Sequence, residues 1–347
     1  PHAAGELSPP LGILDGVGTR VATIDIGSNS LRLMVADVRA DGSYELVDDE
    51  KVVTRLGRGT SSRDELDPDA IVETAAAVRT MRQIAEGLNV TRIRAVATCA
   101  VREARNREDF LARVRDEAGL EVEVISGDDE ARFSHASVDA AFDLGGTDVA
   151  VVDIGGGSTE ILLCSAGIVS QVASMSIGAV RLTESASDLS PDKRLPRMER
   201  IIREHLRTHL GRPRVAPTVM IGTGGTFTAI GAMERMRRDG PDADPDRAKV
   251  NLRGERLHRA DVRRLLEQLN RMTDRERASV RGLGADRADI IVAGVTIADT
   301  VMDRLDVNEL LIHDGGVRDG VLLEMAAEIA PRPRTELHGI NARLEAA

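Results

Sequence analysis

Two apolar stretches of the chain, one in each half, follow the same pattern at an offset of 128 residues. Residues 21–33 read VATIDIGSNSLRL, and residues 149–161 read VAVVDIGGGSTEI. In each stretch an apolar run of β type ends in an aspartate, a Gly-rich turn follows, and a second apolar run leads to another turn. This pattern predicts one β-hairpin in each half, with backbone N–H groups exposed at its tight turn beside a carboxylate.

Strand-like and helix-like patterns alternate along the rest of the chain. Asp67 is the expected cap of one helix and Pro68 its first residue, because the first helical turn leaves its N–H groups unpaired in any case. The alternation predicts sheets that contain parallel strands and carry helices on their faces. Short apolar runs predict further strands at 48–53, 93–97, 122–125, 169–174, 219–222 and 310–313. Helical spacing predicts helices from Pro68 and over 108–118, 181–210, 257–272, 288–305 and 317–330.

The length of 347 residues favours two domains over one. Gly145-Gly146 marks a natural boundary before the second hairpin, and the polar stretch 238–254 is the best candidate for a long exposed loop. The last helix, about 317–330, is a candidate to pack back on the first domain. We therefore expect a flexible leader at 1–19, domain I at 20–140, domain II at 141–316 and a tail at 331–347.

Composition and charge narrow the range of ligands. Aromatic residues make up 1% of the chain and the net charge is −11, which argues against a protein that stacks single-stranded bases or attracts nucleic acid through a positive field. Only three of the 46 basic residues are lysines, and arginine is the better bidentate partner for phosphate. We expect no nucleic-acid partner.

The two cysteines, Cys99 and Cys164, lie far apart and lack the spacing of a metal site. A disulfide framework is not indicated, so a reducing compartment is the default. The N-terminal residues show no basic start followed by an apolar run, and no stretch is long and apolar enough to span a bilayer. These features predict a soluble, cytoplasmic protein without a membrane partner.

The Gly-rich turns are the first candidates for chemistry. Turn N–H groups can cradle a phosphate while the aspartate beside them anchors a cation, so two such loops could grip a phosphorylated ligand between domains. Gly224-Gly225-Thr226 precedes another helix and suits an anion at a helix N-terminus, although a simple tight turn would explain it too.

A second candidate is the acidic stretch Asp128-Asp129-Glu130, which begins a helix at the end of a strand. A favourable interaction with the helix dipole would by itself explain these acids, whereas ligands of α/β folds bind at such sheet-end loops.

The histidines are weaker candidates for a catalytic or metal site. His313 fits a buried position better than a catalytic one, and His205 with His209 lacks a third zinc ligand.

Taken together, the motifs resemble those of the exopolyphosphatase/guanosine pentaphosphate phosphohydrolase (Ppx/GppA) family, in the same order along the chain. This resemblance implies two ribonuclease-H-like domains of the actin, sugar-kinase and Hsp70 superfamily with a cleft between them. The matching segments are 25–33 (DIGSNSLRL), 97–102 (ATCAVR), 125–132 (ISGDDEAR), 153–160 (DIGGGSTE) and 317–320 (VRDG).

The resemblance also implies a role for each matching residue. Glu130 would be the general base that prepares a water, and Arg102 would neutralise charge on the phosphoryl group. Asp153 would bind Mg²⁺ or Mn²⁺, with Asp25 and Glu160 in support. The expected phosphate-binding residues are Ser28, Asn29, Gly155, Gly156, Gly157 and Ser158, with Gly224, Gly225 and Thr226 for phosphates further along the substrate.

Some residues depart from the family pattern. Asp129 is shorter than the usual glutamate, Cys99 replaces a serine, and residues 250–254 lack a His-Gly pair. The chain resembles the short, two-domain form, for which a homodimer is plausible by resemblance alone. Exopolyphosphatase activity is the leading interpretation. The alternatives are a guanosine pentaphosphate (pppGpp) or nucleotide phosphohydrolase, a non-catalytic polyphosphate or (p)ppGpp sensor, and a sugar kinase or ATPase of the superfamily.

Overall fold

The computed structural model describes residues 18–240, 242–244 and 251–330. The predicted tail, residues 1–17 of the predicted leader, and residues 241 and 245–250 of the polar stretch lie outside the described residues. Within the described part of the chain, no helix combines the length and the apolar character that crossing a membrane requires.

The first half of the chain forms a five-stranded sheet with helices packed on it. Its order is β3-β2-β1-β4-β5, in which β3–β2 and β2–β1 pair antiparallel and β1–β4 and β4–β5 pair parallel. The strands are β1 (Thr19–Ile26), β2 (Ser30–Val38), β3 (Tyr44–Val53), β4 (Arg92–Ala97) and β5 (Val122–Val124). The helices are α1 (Thr60–Arg63), α2 (Pro68–Gly87), α3 (Cys99–Glu103), α4 (Arg107–Ala118) and α5 (Gly127–Ala141).

The second half forms a six-stranded sheet with the same internal order. The order β8-β7-β6-β9-β11 repeats that of the first sheet, and β10 adds an antiparallel strand at the edge. The strands are β6 (Asp148–Ile154), β7 (Thr159–Ser165), β8 (Ile168–Met175), β9 (Val219–Thr223), β10 (Arg256–His258) and β11 (Glu309–Ile312). The helices are α6 (Ala179–Glu184), α7 (Pro191–His205), α8 (Gly225–Asp239), α9 (Arg259–Arg271), α10 (Asp274–Ala278), α11 (Ile291–Leu305) and α12 (Val317–Ile329).

The repeated strand order confirms the predicted fold class. The two hairpins match even in their turns: Gly27 N–H donates to the Ser30 carbonyl at 3.1 Å, and Gly155 N–H donates to the Ser158 carbonyl at 3.0 Å. Each bond closes a turn of the same length after an aspartate. The duplication seen in the sequence is therefore a duplication of backbone geometry.

Helix α12 returns to the first sheet although it follows the last strand of the second. Its Val321, Leu322 and Met325 join the core formed by Val21 and Met34 of the first hairpin. It also packs closely along α5. The cleft between the sheets is consequently bounded on one side by a helix that connects them.

Two predicted elements are wrong in detail. The single helix expected over 181–210 is α6 and α7, separated by residues 185–190, with a π-helical turn at Leu206–Leu210. Pro191 begins α7 because its ring fixes φ and removes the N–H that a continuous helix would need. The expected helix 257–272 begins only at Arg259, because residues 256–258 form the edge strand β10.

Candidate active site

A cavity of about 120 Å³ lies between the two sheets, where both hairpin turns meet the N-termini of α5 and α8 and the loop after β11. The carboxyl-end loops of the parallel strands converge there, as expected for ligand sites in α/β folds. The predicted site residues that line it are Asp25, Ser28, Asn29, Glu130, Asp153, Gly155, Gly156, Gly157, Ser158, Glu160, Gly224 and Gly225.

The two hairpin turns touch each other across the cavity. A Cβ added at Gly157 would lie 2.6 Å from Ser28 Oγ and 2.9 Å from Cys99 Sγ, so only glycine allows this approach. The side-chain nitrogen of Asn29 is buried and has no hydrogen-bond partner among the described residues. An unpaired buried donor beside exposed turn N–H groups is a ready partner for an anion.

Helix α8 directs its N-terminus at the same cavity. Gly224 has φ +87°, a left-handed conformation that favours glycine, and a Cβ there would lie 2.7 Å from Asp153 Oδ1. The unpaired N–H groups of the first helical turn and the helix dipole both favour a negative charge at this position.

Of the acidic residues that line the cavity, Asp25, Glu130, Asp153 and Glu160 have pKa values that burial raises. Burial raises the pKa of Asp25 to about 6, against the opposing effect of Arg32 and Arg318. Burial is also the main cause that raises the pKa of Asp153. The acids of this cluster thus need cations nearby to stay ionised.

Glu130 is 6% exposed and forms an ion pair with Arg102, whose guanidinium also donates to the Ile125 carbonyl at 3.0 Å. Burial raises the pKa of Glu130 to about 7, Arg102 lowers it, and Asp153 and Asp25 raise it further. A carboxylate with a pKa near neutrality is suited to general-base catalysis. Arg102 itself is not among the residues that line the cavity.

The aspartates offer oxygen ligands for a hard cation. Ser134 donates to Asp153 Oδ2 at 2.6 Å, and Asp25 Oδ1 is buried without a hydrogen-bond partner. The described residues contain no group of three or more His, Cys, Asp or Glu arranged to hold a metal ion. Mg²⁺ is usually held by one or two carboxylates, substrate phosphates and water, so Asp25 and Asp153 fit Mg²⁺ or Mn²⁺ when a phosphate is bound.

Glu160, the third residue expected to support the metal, lines the same cavity. It accepts a hydrogen bond from Ser174 at 2.9 Å and is 3% exposed. Burial, Glu130 and Asp153 all raise its pKa well above the ordinary value. Ionisation of this carboxyl is therefore opposed unless a cation lies beside it.

Three arginines, Arg32, Arg287 and Arg318, also line the cavity. Arg318 is paired with Asp49 through two bonds of 2.5 and 2.6 Å. By contrast, Arg32 and Arg287 make no side-chain hydrogen bond or ion pair within the described structure. The cavity lining therefore combines carboxylates with two guanidinium groups that have no side-chain partner among the described residues.

A family model described as the Ppx/GppA phosphatase family matches residues 34–329. This chain belongs to the Ppx/GppA phosphatase family. The match confirms the predicted family and the prediction of an enzyme of the phosphatase class.

Known members of the Ppx/GppA family show how far the similarity extends. Exopolyphosphatase 2 of Mycobacterium tuberculosis is 32% identical over 323 residues, which are 89% of this chain and 99% of that protein. Guanosine-5'-triphosphate,3'-diphosphate pyrophosphatase of Photobacterium profundum is 28% identical over 319 residues, and the match spans 59% of that longer protein. The crystal structure of an exopolyphosphatase from Cytophaga hutchinsonii superimposes with a TM-score of 0.81 at 26% identity, covering 89% of this chain and 98% of that one.

Some predicted positions of this Ppx/GppA chain lie away from the cavity. Thr226 is 2% exposed and packs against Gly294 of α11, so its side chain does not reach the cavity. His313 is buried, as expected, with its Nε2 at 2.8 Å from Ser137 Oγ, and burial lowers its pKa to about 4.

Sequence reasoning missed Arg32 and Arg287, for different reasons. In the first hairpin Arg32 is the register partner of Asp25, and in the second Glu160 is the partner of Asp153. The repeat therefore carried a signal for Arg32, since it occupies the position equivalent to Glu160. Arg287 lies in a short 3₁₀ turn, Ala285–Arg287, that belongs to no recognisable motif.

Proposed function

We propose that this protein is an exopolyphosphatase, which hydrolyses the terminal phosphate of inorganic polyphosphate with Mg²⁺ or Mn²⁺ bound. One observation carries the proposal: a buried carboxylate, Glu130, lines the same cavity as two Gly-rich turns and two unpaired arginines. Phosphoryl transfer needs an oriented nucleophile, charge neutralisation and alignment, and this set of groups supplies all three.

In this mechanism Glu130 accepts a proton from a water as the water oxygen bonds to the terminal phosphorus. The anhydride P–O bond on the opposite side breaks, and the shortened polyphosphate leaves with the bridging oxygen. Arg102 orients Glu130 and keeps its pKa from rising further, rather than contacting the phosphate as the resemblance implied. Asp25 and Asp153, together with the substrate phosphates, would hold the cation, and the cation would supply charge neutralisation.

The remaining groups hold the substrate. The turn N–H groups at 28–29 and 156–158 would bind the terminal phosphate, and the N-terminus of α8 would bind oxygens of the following one. Arg32 and Arg287 would bind the next phosphates along the chain, because guanidinium groups match phosphate oxygens in pairs. A row of anion-binding groups without an aromatic platform in the cavity lining favours a substrate that is phosphate throughout.

The second candidate substrate is guanosine pentaphosphate. A neighbouring cavity of about 640 Å³ shares Arg32 and Arg287 with the first one and is partly lined by Met34, Leu46 and Leu252. These apolar side chains could contact a nucleoside. The similarity to a pppGpp pyrophosphatase is consistent with this alternative.

Phosphate release would decide between the substrates. The protein is incubated with Mg²⁺ and, in parallel, tripolyphosphate, long-chain polyphosphate, pppGpp or ATP, and Glu130→Gln serves as the matched control. We expect the unmodified protein to release phosphate from polyphosphate and the Glu130→Gln variant to release none. Faster release from pppGpp would favour the second candidate. Tight binding of any of these without release would contradict an enzyme and favour a sensor.

A further inference from the structure

Two arginines that lie far apart in sequence, Arg32 and Arg287, line the same cavity. Arg32 is on β2, and Arg287 follows α10 in the 3₁₀ turn that packs against Gly225 at the start of α8. Burial, and then Arg32, lower the pKa of Arg287 to about 10. Two half-buried like charges repel, so other contacts must hold this arrangement together.

Two ion pairs flank Arg287 in sequence and connect the halves of the molecule. Lys51 Nζ lies 2.5 Å from Asp286 Oδ2, and Arg55 Nη1 lies 2.6 Å from Asp289 Oδ2. Each pair joins a residue at the end of β3, or just after it, to the segment that carries Arg287. Arg287 is thus held from both sides against the first sheet.

Arg55 also contacts the Gly-rich turn of the first hairpin, which is proposed to bind phosphate. Its backbone N–H donates to the Asn29 carbonyl at 3.0 Å, and its φ of +52° is a left-handed conformation that a residue with a side chain rarely adopts. Such a conformation persists only where the surrounding structure fixes it, and it is common near functional sites. The pair with Asp289 therefore sets the distance between the Asn29 turn and Arg287.

We propose that Asp286 and Asp289 are positioning residues for substrate binding. Their ion pairs with Lys51 and Arg55 hold Arg287 opposite Arg32, so that the two guanidinium groups form a ready subsite for an inner phosphate. The inference rests on the proposed function, because it assigns the polyphosphate chain to that subsite. Both aspartates act through Arg287 and touch no substrate atom.

Removing the charge of Asp286 or Asp289 should change anion affinity in opposite directions, depending on whether the carboxylate repels the anion or positions Arg287. A carboxylate near a bound anion repels it, so neutralising Asp286 or Asp289 would tighten anion binding if their charge acted on the anion directly. If the carboxylates position Arg287, neutralising them weakens binding instead. The sign of the change in Kd therefore separates the two roles.

The experiment is calorimetric titration of tripolyphosphate, with Mg²⁺, into Glu130→Gln protein, which should bind without turnover. Asp286→Asn and Asp289→Asn are added singly and together. We expect Kd to rise roughly threefold to tenfold in the double variant, as for the loss of two partly exposed ion pairs. In an Arg287→Met background the same two substitutions should change Kd no further.

The matched control is Asp37→Asn. The Arg20–Asp37 pair has side chains that are 32% and 31% exposed, against 31% and 31% for Lys51–Asp286, but it lies within the first sheet and away from the cavity. Its loss should leave Kd unchanged. Unchanged or tighter binding in the Asp286 and Asp289 variants would overturn this inference and leave the proposed function standing. The same holds if the two substitutions raise Kd as much in the Arg287→Met background as in its absence. Absence of tripolyphosphate binding by the Glu130→Gln parent would overturn the proposed function as well.

Discussion

Ser134 Oγ lies 2.6 Å from Asp153 Oδ2 and joins the helix of the proposed base to the strand of the proposed metal ligand. Ser134 follows Glu130 by one helical turn on α5, so both side chains lie on the same face of that helix. The bond fixes one carboxylate oxygen of Asp153 and orients the other toward Gly224. One helix therefore positions both the base and the carboxylate expected to hold the cation.

Loss of this bond should weaken cation binding. Mutation of a residue that hydrogen-bonds to a metal ligand typically lowers metal affinity tenfold to a hundredfold. Ser134→Ala should therefore raise the Mn²⁺ dissociation constant by roughly tenfold. Ser134→Thr keeps the hydroxyl and should restore affinity. The measurement is Mn²⁺ binding to Glu130→Gln protein with tripolyphosphate present. Equal affinities of the Ala and Thr variants would show that the hydroxyl does not act on Asp153.

The pH dependence should report Glu130. A general base acts when deprotonated, so kcat/KM should rise as the pH increases through about 7, the value to which burial raises the pKa of Glu130 in the free protein. Arg102 lowers that pKa, so Arg102→Met should shift the rising limb to higher pH. A limb that stays in place or moves to lower pH would show that Arg102 does not act on the base in this way.

Arg32 should contribute to binding more than to the chemical step. In the proposed binding mode it contacts the inner phosphates, whose charge changes little during the reaction. Its removal should therefore weaken binding of the substrate and of the transition state equally. We expect Arg32→Met to raise KM for tripolyphosphate roughly tenfold or more, as for the loss of a charged hydrogen bond, with kcat nearly unchanged. Steady-state kinetics measure this directly. A fall in kcat at constant KM would place Arg32 at the reacting phosphate instead.

The contact between α12 and α5 should depend on Gly320. A Cβ there would collide with the Phe133 carbonyl of α5, so Gly320→Ala should lower the free energy of unfolding by roughly 1–3 kcal/mol. Gly87 in α2 is the matched control, since a Cβ there meets no atom within 4 Å. Gly87→Ala should raise the free energy of unfolding by up to about 1 kcal/mol. Denaturant unfolding checks both, and equal effects would contradict the packing argument.

Features with a local cause were predictable from the sequence. The hairpins follow from alternating apolar residues and Gly-rich turns, and the structure repeats their geometry in both sheets. The Asp67 cap is confirmed, because its side chain accepts a hydrogen bond from the N–H of Asp69 at 3.0 Å. The N-terminal part of β3 was missed. The strand begins at Tyr44, where exposed residues such as Leu46 blur the apolar pattern on an edge strand.

Features that depend on long-range contacts were not predictable in this way. The pair formed by Arg102 with Glu130 requires the positions of α3 and α5 relative to each other. The same holds for Arg287, whose neighbours Asp286 and Asp289 form ion pairs with Lys51 and Arg55 of the first half of the chain. Motif order indicated which residues belong to the site, while packing between the two sheets determines which of them touch.

The central claim is that Glu130 is the general base of a phosphate-anhydride hydrolysis. The most direct measurement compares kcat for tripolyphosphate hydrolysis with the Kd for tripolyphosphate in the unmodified protein and in Glu130→Gln. We predict that kcat falls by roughly 10²–10⁴-fold, the usual contribution of a positioned base, while Kd changes little. Unchanged kcat, or a loss of affinity as large as the loss of turnover, would contradict the claim and make Glu130 a binding residue.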